Sequence, residues 1–431
     1  MNMNEMAVLA REAFYSLSAE SDERRNQALL RMADILEEDA DVIFSANVED
    51  LAAAKKEGLA VPLLQRLKFD EAKLAQVQAG LRSLASLPDP IGHTVFCHEI
   101  TEGLKLYRVT CPIGVVGVIF ESRPDALVQI ASLTIKSGNA ALLKGGREAL
   151  RTNTALAGSV RRALEETGLP ANAAQLMETR EDVAAMLKED RLVDLIIPRG
   201  SNAFVRYIMD NSRIPVLGHA DGICHVYVDK DADLEKAWKV ALDSKTQNLS
   251  VCNAAETLLV HAGIAEAFLP RFAEMLREKK VEIRGDERTR RLIACEPASA
   301  SDWSTEYLDA ILSIRVVDSL EQAVEHINFY GSHHTDCILT ENEGAARYFM
   351  DRVDSAGVYL NVSTRFAEGF VYGLGAEVGI ATGKIHARGP MGLDGLTTYK
   401  YKLLGEGQTM GEMKSGLRQY THRILPESCP L

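Results

Sequence analysis

The sequence predicts an α/β protein built from two α/β units and a separate β element, and three observations predict it. From Gly114 onward, short apolar runs (GVVGVIF, AALLK, LVDLIIP, ICHVYVD) alternate with stretches of helical periodicity, the mark of βαβ units on a mostly parallel sheet. After Asp229 the same alternation restarts and defines a second unit. Ahead of both, HTVFCHEITEGLKLYRVTCPIG carries β-branched and aromatic residues on either side of Glu102-Gly103, a hairpin pattern. At 431 residues the chain exceeds one ordinary core and divides into two or three domains.

Taken in order, residues 1–90 read as several amphipathic helices, because apolar residues recur at helical spacing through RRNQALLRMADILEEDADVIFSANVEDLAAA. GVVGVIF is a buried strand, Pro124 opens a helix over 124–137, and AALLK is a strand followed by a helix over 148–167. LVDLIIP, a helix over 202–212 and ICHVYVD complete a unit with the architecture of a nucleotide-binding domain of Rossmann type. The second unit begins with a helix over 233–242, a loop around Cys252, strand ETLLVH and a helix over 264–279. Strands at SIRVVD, DCILT and GVYLNV follow, with helices over 320–328 and 343–351. The late strand LTTYKYKLLG is expected to pair with the hairpin or with another subunit.

Composition narrows the function classes. The net charge of −13, from 48 basic and 61 acidic residues, disfavours nucleic acid and anionic membrane as partners. A small anionic substrate stays compatible, since local cations override the global field. The longest apolar run, around 113–120, is too short to span a bilayer. Seven scattered cysteines form no CxxC pair and no targeting segment is evident, so a reducing, cytoplasmic compartment is expected. The adjacent pairs Cys97-His98, Cys224-His225 and His333-His334 lack zinc spacing, and no metal is expected.

Four stretches carry candidate chemistry. In SKTQNLSVCNAAETLLVH, Cys252 lies between a polar run and an apolar strand. It is either a buried filler or a nucleophile on a loop, whose thiolate loop amides or a nearby cation would favour. In ALLKGGREAL, Lys144 closes a strand and Gly145-Gly146 turn into a helix, where doubly wound folds bind ligands. Arg147 adds a cation suited to a ribose 2′-phosphate, hence NADP over NAD; a solvated lysine at a tight turn is the plainer reading. In IIPRGSN, Gly200 and Ser201 precede a helix whose N-terminal amides favour phosphate, or Ser201 simply caps it. In YLNVSTRF, Ser363, Thr364 and Arg365 suit a carboxylate or phosphate, or form a capped turn with a surface arginine. The GxGxxxG spacing of Gly373, Gly375 and Gly379 misses the dinucleotide fingerprint and is set aside.

These pieces in this order resemble the aldehyde dehydrogenase superfamily: a strand ending Lys-Gly-Gly, a strand with a Gly-Ser turn, a cysteine about a hundred residues after the lysine, Tyr330-Gly331 and a Val-Tyr-Leu-Asn strand. Within it, GVIFESRPDALVQIASLTIKSGNAALLKGG, DLIIPRGS, GHADGICHVYVD, SVCNAAETLLVH, LNVSTRF and HARGPMGLDGLTTYKY resemble the γ-glutamyl phosphate reductase family, over nearly the whole chain. The resemblance implies an aldehyde-dehydrogenase-like fold: a cofactor-binding domain over 1–95 and 109–228, a catalytic domain with the nucleophilic cysteine over 229–392, an oligomerisation hairpin and strand over 96–108 and 393–415, and a tail over 416–431. It implies NADPH-dependent reduction of γ-glutamyl phosphate to glutamate 5-semialdehyde through a thioester on Cys252, in proline biosynthesis. A homo-oligomer, dimer or higher, and functional coupling with glutamate 5-kinase are the partners implied.

Site residues follow from the same resemblance. Cys252 is the nucleophile. Many superfamily members carry an oxyanion-hole Asn two residues before the proline matching Pro124; Ser122 stands here, so Ser122 or Asn253 is expected as the second donor. Lys144, Gly145, Arg147, Gly200 and Ser201 are expected at the cofactor, with Glu306 on its nicotinamide-side ribose. Ser363, Thr364 and Arg365 are expected at the substrate's α-carboxylate, and Arg123 or Arg199 at its acyl phosphate. His219 falls near the general-base Glu of hydrolytic relatives, whose loss suits an enzyme that must not hydrolyse its thioester. An oxidising aldehyde dehydrogenase that releases a free acid, and a non-catalytic scaffold that binds a biosynthetic kinase, are the competing readings.

Overall fold

A computed structural model describes residues 1–121, 123–219, 221–374 and 376–431. The N-terminal helices Met3–Leu17, Asp22–Glu38, Ala40–Lys56, Val61–Leu67 and Glu71–Ala85 form as expected. Asn2, Ser21 and Asp70 cap three of them by accepting backbone N–H bonds, which removes orphan donors at each start. Met3–Leu17, with the later helices Pro124–Lys136 and Leu150–Glu166, lies against a four-stranded sheet in the order Ala174–Leu176, Ala140–Lys144, Val115–Ile119, Leu195–Pro198, parallel throughout, and Asp22–Glu38, Ala40–Lys56 and Glu71–Ala85 pack on those later helices. Every residue of Val115–Ile119 and Ala140–Lys144 is buried, which is why these strands read as unbroken apolar runs rather than alternating ones. Gly114 (φ +142°) has no room for a side chain, because the carboxylate of Asp194 lies where its Cβ would stand, accepting a hydrogen bond from Val115 N at 2.7 Å.

A second, seven-stranded sheet runs in the order Glu296–Pro297, Glu282–Gly285, Ile311–Val317, Ala255–His261, Cys224–Val228, Thr335–Leu339, Gly357–Leu360. All its pairings are parallel. The boundary expected at 228/229 therefore falls one strand late: Cys224–Val228 pairs with Ala255–His261 and Thr335–Leu339, inside the second sheet. Apolar periodicity identifies a parallel strand but not the sheet it joins. The stretch assigned up to 392 also divides, since Val378, Ala381 and Met391 pack into the core of the first unit.

Strands Thr94–Thr101 and Leu104–Pro112 form the expected hairpin, turning at Gly103 (φ +74°). Thr397–Leu404 pairs with Leu104–Pro112 of its own chain, from Thr397 opposite Pro112 to Leu404 opposite Lys105. The tail contributes a fourth strand, Arg423–Leu425, against Thr94–Thr101, with Arg423 Nε donating to Glu99 at 2.8 Å. Among the described residues no helix is long and apolar enough to cross a membrane.

Candidate active site around Cys252

Cys252 lies between the helix Leu234–Thr246 and the central strand Ala255–His261. That helix runs a turn further than its sequence suggested, so Ser244 and Lys245 are buried helix residues rather than loop. Lys245 Nζ pairs with Glu256 Oε2 at 2.6 Å, both fully buried, and this bridge closes the base of the Cys252 loop. The Cys224 thiol donates to the Cys252 carbonyl at 3.3 Å. Gly222 packs so closely that a Cβ built on it would lie 2.5 Å from Cys252 Cα and 2.6 Å from its Cβ.

The loop amide and the nearby cation that would favour a thiolate are outweighed at Cys252. Burial pushes the Cys252 thiol up to about 12, and the carboxylates of Glu306 and Glu377 push the same way. The residue's own backbone N–H and the Arg199 guanidinium oppose them and lose. Arg199 stands beside the site: burial draws its pKa down while Glu377 draws it up, and Arg123 lies near enough to oppose a second cation. Arg123 itself precedes the helix Pro124–Lys136 and pairs with Asp125 at 3.0 Å. Ser122 lies outside the described residues, as does Gly375.

Ser363, Thr364 and Asn253 serve the loop instead of presenting free groups. Thr364 is fully buried, donates from Oγ1 to Asn253 O at 2.7 Å and from its backbone N to Ser244 Oγ at 3.2 Å. Ser363, 4% exposed, accepts from Ser244 Oγ at 3.3 Å and from Arg365 N at 3.3 Å. Within the chain these two hydroxyls fasten the turn after Gly357–Leu360 to the helix Leu234–Thr246 and to the Cys252 loop. Asn253, 2% exposed, donates to Ala367 O at 3.1 Å and accepts from Arg365 Nη1, so its side chain joins the same clamp. Arg365 also reaches Gln247 Oε1 at 2.9 Å and Glu368 Oε1 at 2.7 Å. Its guanidinium adjoins the site but is already engaged on three sides.

On the first unit, Lys144 ends its strand as expected, 8% exposed, with Nζ donating to Gly145 O at 2.5 Å. Burial lowers its pKa. Gly145 leaves no room for a Cβ against Asn153 Nδ2. Arg147 is 83% exposed and paired with Glu57 at 3.1 Å. Ser201 occupies the N-cap of Asn202–Asn211 yet makes no side-chain cap bond, which removes the plain capping reading of this serine. A Cβ on the neighbouring Gly200 would lie 2.9 Å from the Glu121 carboxyl carbon. Glu306 accepts from Asn202 Nδ2 at 2.6 Å, and Asn202 also reaches Asp221 Oδ1 at 2.8 Å, so Glu306 bridges the start of that helix to the Cys252 side.

Sequence reasoning missed three neighbours of the thiol. Glu377 lies in the stretch set aside for its glycine spacing; burial raises its pKa, and it accepts from Gly369 N at 2.7 Å. His334 was read only as half of an adjacent His pair, but a ligating atom of it lies within 4.8 Å of both Cys252 and His219. Gly222, within GHADG, was read for its histidine alone.

A model of the aldehyde dehydrogenase family matches residues 1–291. Over 431 residues the chain is 56% identical to the γ-glutamyl phosphate reductase of Acetivibrio thermocellus, covering 100% of each chain. The chain belongs to the γ-glutamyl phosphate reductases of the aldehyde dehydrogenase family. It is equally similar, 56% over 425 residues, to the γ-glutamyl phosphate reductase of Pelotomaculum thermopropionicum, with 99% of this chain and 98% of that one covered. The crystal structure of γ-glutamyl phosphate reductase from Thermotoga maritima superposes with a TM-score of 0.93 at 40% identity, over 95% of this chain and 100% of that one. The aldehyde-dehydrogenase-like α/β fold expected from the sequence is therefore the fold of this γ-glutamyl phosphate reductase relative, and membership makes it an oxidoreductase.

Proposed function

We propose that this chain reduces γ-glutamyl phosphate to glutamate 5-semialdehyde with NADPH, releasing phosphate, through a thioester on Cys252, as a step of proline biosynthesis. The observation that carries the reading is a thiol held at a strand entrance with Arg199 beside it, in a chain 56% identical to a γ-glutamyl phosphate reductase. In this scheme the seven-stranded unit carries the thiol and the four-stranded unit holds the cofactor.

The residues present fit a dinucleotide. Lys144 and the side-chain-free Gly145 end a buried strand. The unbonded Ser201 hydroxyl and the first amides of a ten-residue helix suit a pyrophosphate. Arg147 offers an exposed cation for a 2′-phosphate. When bound, the reduced nicotinamide supplies hydride to the acyl carbon.

The chain's own residues do the rest. Cys252 Sγ bonds to the acyl carbon and the carbon–oxygen bond to phosphate breaks. The thiol proton leaves on the departing phosphate, whose negative charge Arg199 and Arg123 would balance. After reduction the carbon–sulfur bond breaks, the aldehyde leaves and the sulfur takes up a proton. The sheet of Leu104–Pro112, Thr397–Leu404 and their neighbours is the proposed oligomerisation element; Tyr399, Tyr401 and Leu403 are all more than half exposed on it.

The test runs the reaction backwards. Glutamate 5-semialdehyde and NADP are expected to yield NADPH only when inorganic phosphate is present. NADPH formation without phosphate points to release of a free acid and sinks the proposal. The raised thiol pKa adds a second expectation. Below its pKa a thiolate fraction grows about tenfold per pH unit, so iodoacetamide should label Cys252 about ten times faster at pH 8 than at pH 7, and again at pH 9. Mass-spectrometric rates that level off near neutrality would show a thiolate already present.

A further inference from the structure

We propose that Cys252, His219 and His334 form a reversible binding site for a thiophilic divalent cation, zinc above all, that silences the thiol when occupied. The site as such stands on geometry; only its inhibitory consequence rests on the function proposed above.

Three segments far apart in sequence bring the donors together. One ligating atom from each residue lies within 4.8 Å of the other two. In a tetrahedral zinc centre, bond lengths of about 2.0–2.3 Å place donors about 3.3–3.6 Å apart, so side-chain rotation of roughly an ångström closes the set. The two imidazoles meet edge to face, centroids 5.0 Å apart, which lets both aim a ring edge at one point instead of stacking.

The hydrogen bonds around the rings favour a cation. His219 Nδ1 lies 3.0 Å from the Ile380 carbonyl, which can only accept, so Nδ1 carries the proton and Nε2 keeps a lone pair. A backbone carbonyl on the far nitrogen is how metal-bound histidines are generally oriented. His334 is 1% exposed; its Nδ1 lies 3.0 Å from Thr335 Oγ1, and its Nε2 is buried with no protein partner. A buried nitrogen without a partner is costly, and a ligand restores the lost interaction. Two imidazoles and a thiolate are the donor set that selects zinc over magnesium or calcium. Glu306 and Glu377 add negative charge around the sulfur, opposed by Arg199.

On binding, the sulfur–hydrogen bond of Cys252 is replaced by a sulfur–metal bond and the proton passes to solvent; nothing is oxidised or reduced. Three protein donors leave the fourth position to water. The fold does not depend on the ion, which is a visitor to the site and not a structural metal.

Cobalt tests this without turnover. Metal-stripped full-length protein, kept reduced with a phosphine, is titrated with Co²⁺ and followed by absorbance. The expected result is a thiolate-to-cobalt charge-transfer band saturating at one equivalent, absent in Cys252→Ser, and removed by one equivalent of Zn²⁺. His219→Ala, at a partly buried residue, and His334→Ala should each weaken cobalt at least tenfold. Equimolar Zn²⁺ should also slow iodoacetamide labelling of Cys252 at least tenfold in the wild type and not in His219→Ala. No band, or a band of unchanged affinity in His219→Ala, overturns the site. Failure of phosphate-dependent NADP reduction would leave the cobalt spectrum standing, so the two proposals fail separately.

Discussion

Gly222→Ala should lose about a hundredfold in kcat while the protein still folds and binds cofactor. The new methyl would sit 2.5 Å from Cys252 Cα and 2.6 Å from its Cβ, with the carbonyl oxygen closer still. These are backbone atoms, or atoms fixed to it, so no side-chain rotation relieves the clash. Ordinary contact begins near 3.4 Å, and Cys252 must retreat by about an ångström, a displacement of reacting groups that costs on the order of 10²-fold. The Cys252 carbonyl would leave the Cys224 thiol at the same time. Overpacking of this kind also costs about 1–3 kcal/mol of stability, which thermal unfolding would register. Gly218, in the same GHADG block, supplies the control. A Cβ there first meets Pro198 at 3.5 Å, an ordinary contact, so Gly218→Ala should keep its kcat. Cofactor affinity should be unchanged in Gly222→Ala, since the residues proposed to hold the cofactor, Lys144 and Ser201, lie at the end of a strand of the four-stranded sheet and at the start of the helix Asn202–Asn211. Wild-type turnover in Gly222→Ala would mean that the position of Cys252 does not govern the reaction.

What the chain's letters revealed, and what they concealed, divides along one line. Strands such as Val115–Ile119 were legible because both their faces are buried, which forces an unbroken apolar run. The Lys144 and Ser201 turns were legible because strand ends and helix starts impose their own residue preferences. Polar residues beside a strand were not legible in the same way. Ser363 and Thr364 carry the letters of a ligand site, and within the chain their partners are Ser244 and Asn253. A hydroxyl that fastens a loop and one that holds a substrate are the same residue until the partner is known. The same applies to Lys245, which looked like part of a solvated run and is fully buried against Glu256. Gly222 and His334 act on Cys252 across the fold, where no local spacing points to them.

Glu256→Gln should destabilise the protein by about 3–5 kcal/mol, the usual consequence of leaving a buried charge without its partner. The glutamine keeps an oxygen for the Leu308 N–H, which donates to Glu256 Oε1 at 3.1 Å, but it cannot neutralise Lys245. Burial drives both members of this pair toward their neutral forms: it lowers Lys245 and raises Glu256 to about 7 despite their contact. The two single variants should therefore respond to pH in opposite directions. In Glu256→Gln the remaining lysine has a depressed folded pKa, so the unfolded chain binds more protons and stability rises with pH toward the ordinary lysine value. In Lys245→Met the remaining carboxyl has a raised folded pKa, so the folded chain binds more protons. That variant is least damaged below the ordinary glutamate value of about 4.3 and loses stability as pH climbs from there through 7. Urea unfolding of both variants at pH 6 and pH 9 measures the two slopes. Parallel slopes would mean that the pair is not buried as a unit at the base of the Cys252 loop. The double variant Lys245→Met/Glu256→Leu removes both charges and should recover most of the loss, because two apolar side chains owe nothing to desolvation. If stability returns in the double variant while turnover does not, the bridge holds Cys252 in place as well as holding the fold together.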